Sequence, residues 1–235
     1  MAEQPAAPEP DVPMPVLVRF VRQLSHDLRN HLNAAELQSA FIGEIAEDAE
    51  VKEEVKRLRG LFNEMSSALQ KLSGSFQDLK LSPLPYKAED FLHDLRRKIE
   101  AEYGEAGGSL EWEIAVAPGA TLQVDPQQLQ QAFMELFDNA FRHNRAAEPI
   151  AVRAQTSRDQ LEFELREPKR EFAAETASWG RVPLRHLKHG HYGLGLYRAR
   201  RIIERHGAQF EAQFDRAHSC LVTQVRLPLA SESAE

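Results

Sequence analysis

The chain has 235 residues, 42% of them hydrophobic and 28% charged, a globular composition that excludes a wholly disordered chain. No run of eighteen apolar residues occurs, which excludes a membrane-spanning helix of ordinary length, and the N-terminus lacks the basic start and apolar stretch of a signal peptide. The net charge of −7 is concentrated at the ends, in Glu3, Glu9, Asp11, Glu232 and Glu235, so the middle is near neutral and nothing suggests nucleic-acid binding.

Residues 1–15 carry five prolines and read as an extended, disordered leader. Residues 16–81 hold no proline. Val51, Val55, Leu58, Phe62, Met65, Leu69, Leu72, Phe76 and Leu79 follow a strict 4-3 spacing, the seam pattern of a coiled coil or helical bundle. Leu17, Val21, Leu24, Leu28, His31, Ala35, Gln38, Ile42 and Ile45 keep the same spacing less purely, and the acidic stretch at 47–50 is the expected break. Two such helices form an antiparallel hairpin. One hairpin buries little, so pairing two hairpins into a homodimeric four-helix bundle is the expected solution.

Ser82-Pro83-Leu84-Pro85 interrupts the pattern, and 82–87 reads as a linker. The remainder, 88–230, mixes predicted helices at 88–103, 126–144 and 194–206 with predicted strands at 109–117, 120–124, 149–156, 160–166, 208–214 and 219–227. Asp125-Pro126 supplies a capping side chain and a first-turn proline for the second helix. Leu161 to Leu165 alternates apolar and acidic residues as a half-buried strand does. The fold class is therefore α+β: a helical hairpin followed by a layered domain, with 231–235 as a tail. The single cysteine, Cys220, cannot close an internal disulfide, and a cytoplasmic setting is expected.

Three segments carry chemistry. In Leu24-Ser25-His26-Asp27-Leu28-Arg29-Asn30, the seam positions turn inward and His26 projects to solvent. A neutral imidazole is a nucleophile near pH 7, Asp27 beside it could orient the ring or take its proton, and Asn30 one turn on could hold a water or a phosphoryl oxygen. An exposed histidine beside an aspartate is, alone, an ordinary surface feature. In Glu135-Leu136-Phe137-Asp138-Asn139-Ala140-Phe141-Arg142-His143, an acid, an amide and a cation share one helical face suited to hydrated Mg²⁺ and phosphates, or simply a polar face. Gly193-Leu194-Gly195 runs into a helix, where glycines admit close backbone approach and free N–H groups face an anion, although most such turns are only turns. The preceding 167–192 stretch is rich in Lys, Arg and His and reads as a phosphate-contacting lid or a solvated loop.

In this order these segments resemble a bacterial two-component sensor histidine kinase. Leu24–Asn33 resembles its H box, Glu135–Asn144 its N box and Gly193–Leu196 its second glycine box, and the likeness spans about 16–230. The resemblance implies a dimerising phosphotransfer hairpin and an α/β-sandwich ATP-binding domain shared with gyrase-type and heat-shock ATPases. It implies ATP with Mg²⁺, autophosphorylation of His26, and transfer to an aspartate of a response regulator. Asp27 would be the acid–base partner and Asn30 the water-positioning residue. Glu135, Asn139, Arg142, His143, Gly193, Leu194 and Gly195 would line the nucleotide site, with Asn139 on the metal. Only about fifteen residues precede the first helix, so a separate input protein is expected.

The first glycine box departs from the family. After Leu165 stands Arg166-Glu167-Pro168-Lys169-Arg170, with Glu167 in the place of the adenine-recognising aspartate and no glycine until Gly180. Three readings follow: an ATP-dependent histidine kinase, a degenerate relative acting as regulator phosphatase or histidine phosphotransferase, and a non-enzymatic dimeric adaptor.

Overall fold

A computed structural model describes residues 13–76, 79–142, 148–169, 172, 176–183 and 193–230. The leader through residue 12, the tail 231–235, His143, and the 184–192 part of the basic stretch lie outside the described residues. The chain divides into two units, Met1–Asp78 and Leu79–Glu235.

In the first unit, α1 (Met14–Ile45) begins with proline in its first turn and continues unbroken, since no later residue lacks the N–H a helix needs. α2 (Ala49–Ser75) starts at Asp48, whose carboxylate accepts from the Glu50 N–H at 2.8 Å. The break thus falls within the acidic stretch. Ser25, Leu32 and Ser39, seven residues apart, are the buried positions of α1. On α2, Val55, Phe62 and Leu69 are half-buried and Phe76 beyond its end is buried. Gly43 lets the helices approach, since a Cβ there would meet Val55 Cγ1 at 3.3 Å. The Arg29 guanidinium closes the open end of the hairpin by donating to Ser73 Oγ at 3.2 Å.

The expected single seam is therefore divided in the hairpin. Val55, Phe62, Leu69 and Leu72 of the α2 seam are half-buried, while Val51, Leu58 and Met65 stay exposed, as do Phe20, Leu24, Leu28 and Ile42 of α1. The physical reason is the width of a two-helix contact. One neighbouring helix covers one side of the stripe, and in a four-helix bundle further helices would cover the other.

The second unit opens with β1 (Leu84–Lys87), which pairs antiparallel with β3 (Thr121–Val124) in a two-stranded sheet. Residues 84–87 are thus strand where a linker was expected. Pro85 fits because an edge strand presents one side that needs no amide donor. Residues 121–124 join β1 rather than the main sheet, whose order is β2 (Glu111–Ala115), β4 (Ala151–Ser157), β5 (Gln160–Pro168), β7 (Cys220–Pro228), β6 (Gln209–Asp215). β2 and β4 are parallel and the other neighbours antiparallel.

Between these strands lie α3 (Ala88–Tyr103), the short α4 (Glu105–Gly108), α5 (Pro126–Arg142) and α6 (Leu194–Arg205). Asp125 caps α5 by accepting from the Gln128 N–H at 3.1 Å. One sheet face carries the core: Phe163 of β5 meets Phe133 at 4.7 Å and Phe137 at 6.3 Å between ring centroids, and Phe91 of α3 meets Phe133 at 5.5 Å. Ile202 and Ile203 of α6 join this core. The opposite face is polar, with Gln155 donating to Glu162 and Gln224 to Glu164, each at 2.8 Å. The unit is a two-layer α/β sandwich. Among the described residues, no helix is long and apolar enough to cross a membrane.

Candidate functional site

The first site needs only one turn and a half of α1. His26 and Asp27 are solvent-exposed, with side-chain exposures of 66% and 52%. His26 Nδ1 lies 3.2 Å from Asp27 Oδ1, and the Gln23 amide donates to the same oxygen at 2.9 Å. The hydrogen bonds from His26 and then Gln23 hold the Asp27 carboxyl below the usual aspartate range, so it is anionic at neutral pH. Asn30 Nδ2 sits 3.4 Å from the same ring nitrogen. In the tautomer whose Nδ1–H donates to Asp27, Nε2 keeps the lone pair and the ring can act as a nucleophile. The three predicted residues are brought together.

The second site lies in the sandwich unit. Gly193 adopts φ 62°, a left-handed turn open to glycine, and starts α6. A Cβ at Gly195 would collide with the carboxylate of Glu135, so the N-box acid of α5 and the glycine turn meet. Leu194 is buried beneath that turn, and Asn139 is half-buried one turn along α5 from Glu135. Arg142 takes another course. Its guanidinium pairs with Asp138 at 3.0 Å, and Asp138 also accepts from the Tyr103 hydroxyl at 3.1 Å. Burial, followed by the Asp138 charge, pushes the Tyr103 phenol far above its ordinary range, so it stays a donor.

Glu167 and Lys169 continue the inward row of β5. Residues 161, 163, 165, 167 and 169 are all buried, and period-two alternation places them on the core side. The Lys169 ammonium donates to Glu167 Oε2 at 2.9 Å, with side-chain exposures of only 2% and 6%. Burial pushes the Glu167 carboxyl up, and the Lys169 charge pulls against it. The sequence placed Lys169 in the altered glycine box but gave no sign of its pairing with Glu167. Continuing the alternation beyond Leu165 was the signal that would have found it.

Residues 124–231 match the family described as histidine kinase-, DNA gyrase B- and HSP90-like ATPase. The match runs from the end of β3 to just beyond β7. Solved histidine kinases agree in fold. Full-length ShkA in complex with AMPPNP aligns at TM-score 0.70 and 19% identity, covering 92% of this chain and 47% of that one. The chain therefore spans about half the length of ShkA. The histidine kinase AdeS of Acinetobacter baumannii aligns at TM-score 0.52 and 17% identity, over 88% of this chain and 98% of that one. The mycobacterial sensor histidine kinase MprB aligns at TM-score 0.51 and 18% identity, over 63% of this chain and 98% of that one. No curated protein matches the chain.

Within that ATPase fold, the residues divide in their fit to Mg²⁺ and a nucleotide. Glu135, Asn139 and the Gly193–Gly195 turn suit a phosphate-side site: an acid, an amide and a backbone with room to approach. At the other end the Glu167 carboxylate suits a purine amino group less well, because its Oε2 already accepts from Lys169 and the pair is buried.

Proposed function

We propose that the protein works in two-component signalling by exchanging a phosphoryl group between His26 and an aspartate of a response regulator, with the regulator as donor. The carrying observation is the exposed His26 ring tied through Nδ1 to Asp27, with Asn30 beside it. The Nε2 lone pair attacks phosphorus, a P–N bond forms, and the P–O bond to the regulator's aspartate breaks with its electron pair on the departing carboxylate. The ring becomes cationic as this happens. Asp27, anionic and in contact with Nδ1, stabilises that charge or takes the Nδ1 proton. Asn30 stands where it can orient a water for hydrolysis, which makes the same site a regulator phosphatase.

The exposed apolar stripe of Phe20, Leu24, Leu28, Leu58 and Met65 supports a homodimeric four-helix bundle in this reading. A cytoplasmic setting completes it. The test uses receiver domains of the same genome, each charged with phosphoramidate and mixed with the wild type, His26→Ala or Asn30→Ala. Acid-labile phosphate should appear on the wild type and not on His26→Ala, while Asn30→Ala should retain label longer. Exchange that survives in His26→Ala, or is absent with every receiver, overturns the reading and leaves the adaptor.

A second reading, ATP-dependent autophosphorylation of His26, is favoured by the meeting of Glu135 with the Gly193–Gly195 turn. Its residues for Mg·ATP would be Glu135, Asn139, Gly193 and Gly195, and bound ATP would supply the phosphoryl group. Acid-labile label from γ-labelled ATP on the wild type, absent from His26→Ala, would establish it.

A further inference from the structure

Glu167 stands at the end of β5, on the core-facing row that Leu161, Phe163 and Leu165 begin. A carboxylate at that place can bind a purine only by accepting from its exocyclic amino group. Here its Oε2 already accepts from the Lys169 ammonium at 2.9 Å, two residues along the same strand, and the carboxylate is buried. The backbone cannot easily release that contact. Lys169 N–H donates to Ser219 O at 2.9 Å, extending the β5–β7 ladder past Pro168 and pinning the side chain inward. Nor is the pair a surface ion pair that water exchanges freely, since Lys169 and Glu167 are 3% and 5% exposed. Breaking a buried pair by moving one partner strands the other charge.

We propose that Lys169 is an internal ligand of the base end of the nucleotide pocket: its ammonium competes with a purine amino group for the Glu167 carboxylate. The inference rests on the ATPase reading of residues 124–231 and not on the chemistry of His26, so the two fail separately. It also names the residue that separates the donor-regulator reading from the ATP-fed one.

The experiment titrates the full chain with Mg·ADP by calorimetry, comparing the wild type with Lys169→Gly, and with tryptophan fluorescence as the check on folding. The wild type should show a Kd weaker than about 1 mM, and Lys169→Gly should tighten it by about tenfold or more. Wild-type binding at tens of micromolar, or a folded Lys169→Gly chain with no gain, overturns the proposal. A second measurement needs no variant: amine acetylation followed by site-resolved mass spectrometry. Lys169 should resist acetylation equally with and without 5 mM Mg·ADP (about fivefold above the expected limit on Kd). Nucleotide-induced labelling of Lys169 would show that the pair opens to a base and would refute the inference even if the glycine variant does not fold.

Discussion

His206 ties two helices of the sandwich together, and its removal should cost the second unit about 3 kcal/mol. The ring is 8% exposed, accepts through Nε2 from the Asp125 N–H at 3.0 Å, and contacts Ile202 O through Nδ1 at 2.8 Å. His206→Ala leaves the Asp125 N–H without a partner at the entry to α5, a penalty of about 1–3 kcal/mol, and loses the second hydrogen bond, about 1 kcal/mol net. Ile202 O keeps a partner in the His206 backbone N–H, so no second orphan adds to the sum. Burial depresses the His206 pKa, with the Ile202 contact and then Asp125 opposing it. The folded ring therefore binds its proton at lower pH than the unfolded ring. This contribution is whole above about pH 6.5 and is lost as pH falls from there toward the depressed folded value, by at most about 1.4 kcal/mol per pH unit. Glu167, raised by burial, works in the opposite direction, so the difference between wild type and variant isolates the histidine. Both tryptophans, Trp112 and Trp179, lie in the second unit, and urea unfolding followed by their fluorescence reads that unit alone. His206→Ala should lower its stability by about 3 kcal/mol at pH 7.5 and by less at pH 5.5. A loss below about 1 kcal/mol, or one of equal size at both pH values, refutes the reasoning.

Two further substitutions test the region around the glycine turn. Gly180 has φ 66°, and a Cβ there would come within 2.6 Å of Leu196 O and 3.0 Å of Arg200 Cβ, so Gly180→Ala should destabilise the unit by about 2–4 kcal/mol in the same urea assay. Gly195→Ala should gain nothing in the wild type, where Glu135 must move aside, but should stabilise a Glu135→Ala chain by about 0.5–1 kcal/mol through helix propensity. Additivity within about 0.5 kcal/mol across that double-mutant cycle would show that the two residues do not meet.

Much of the fold was readable because its signals are periodic or local. The 4-3 spacing announced both helices of the hairpin, the alternation at 161–165 announced β5, and Asp125-Pro126 marked the start of α5. What escaped depends on partners distant in the chain. Leu84–Lys87 carries two nearby prolines and no alternation, and becomes a strand only because β3 supplies the other edge. The division of the α2 seam into packed and exposed halves is likewise a property of the pair of helices, not of either alone. His206 carries no local sign of its role, since its acceptor role depends on an amide 81 residues away. Of the candidate site, His26, Asp27 and Asn30 were legible because one helical turn sets their spacing. Glu135 and the glycine turn were named separately, and only the fold brings them into contact. Lys169 was read as a side chain in place of a glycine, and its return to Glu167 needed the strand to extend beyond Leu165.

The two chemistries of the chain differ in what positions them. Gln23, His26, Asp27 and Asn30 contact one another within a span of eight residues on one helix, so their arrangement requires α1 and nothing from the sandwich. The nucleotide-type site is assembled from β5, α5 and α6, elements spread from Pro126 to Arg205, and any change to one strand end alters it. A histidine that receives its phosphoryl group from a regulator needs only the first arrangement intact. On the proposed reading, side chains at Pro168 and Lys169 in place of glycines would weaken the nucleotide site while leaving the arrangement of His26, Asp27 and Asn30 untouched, because that arrangement draws on α1 alone.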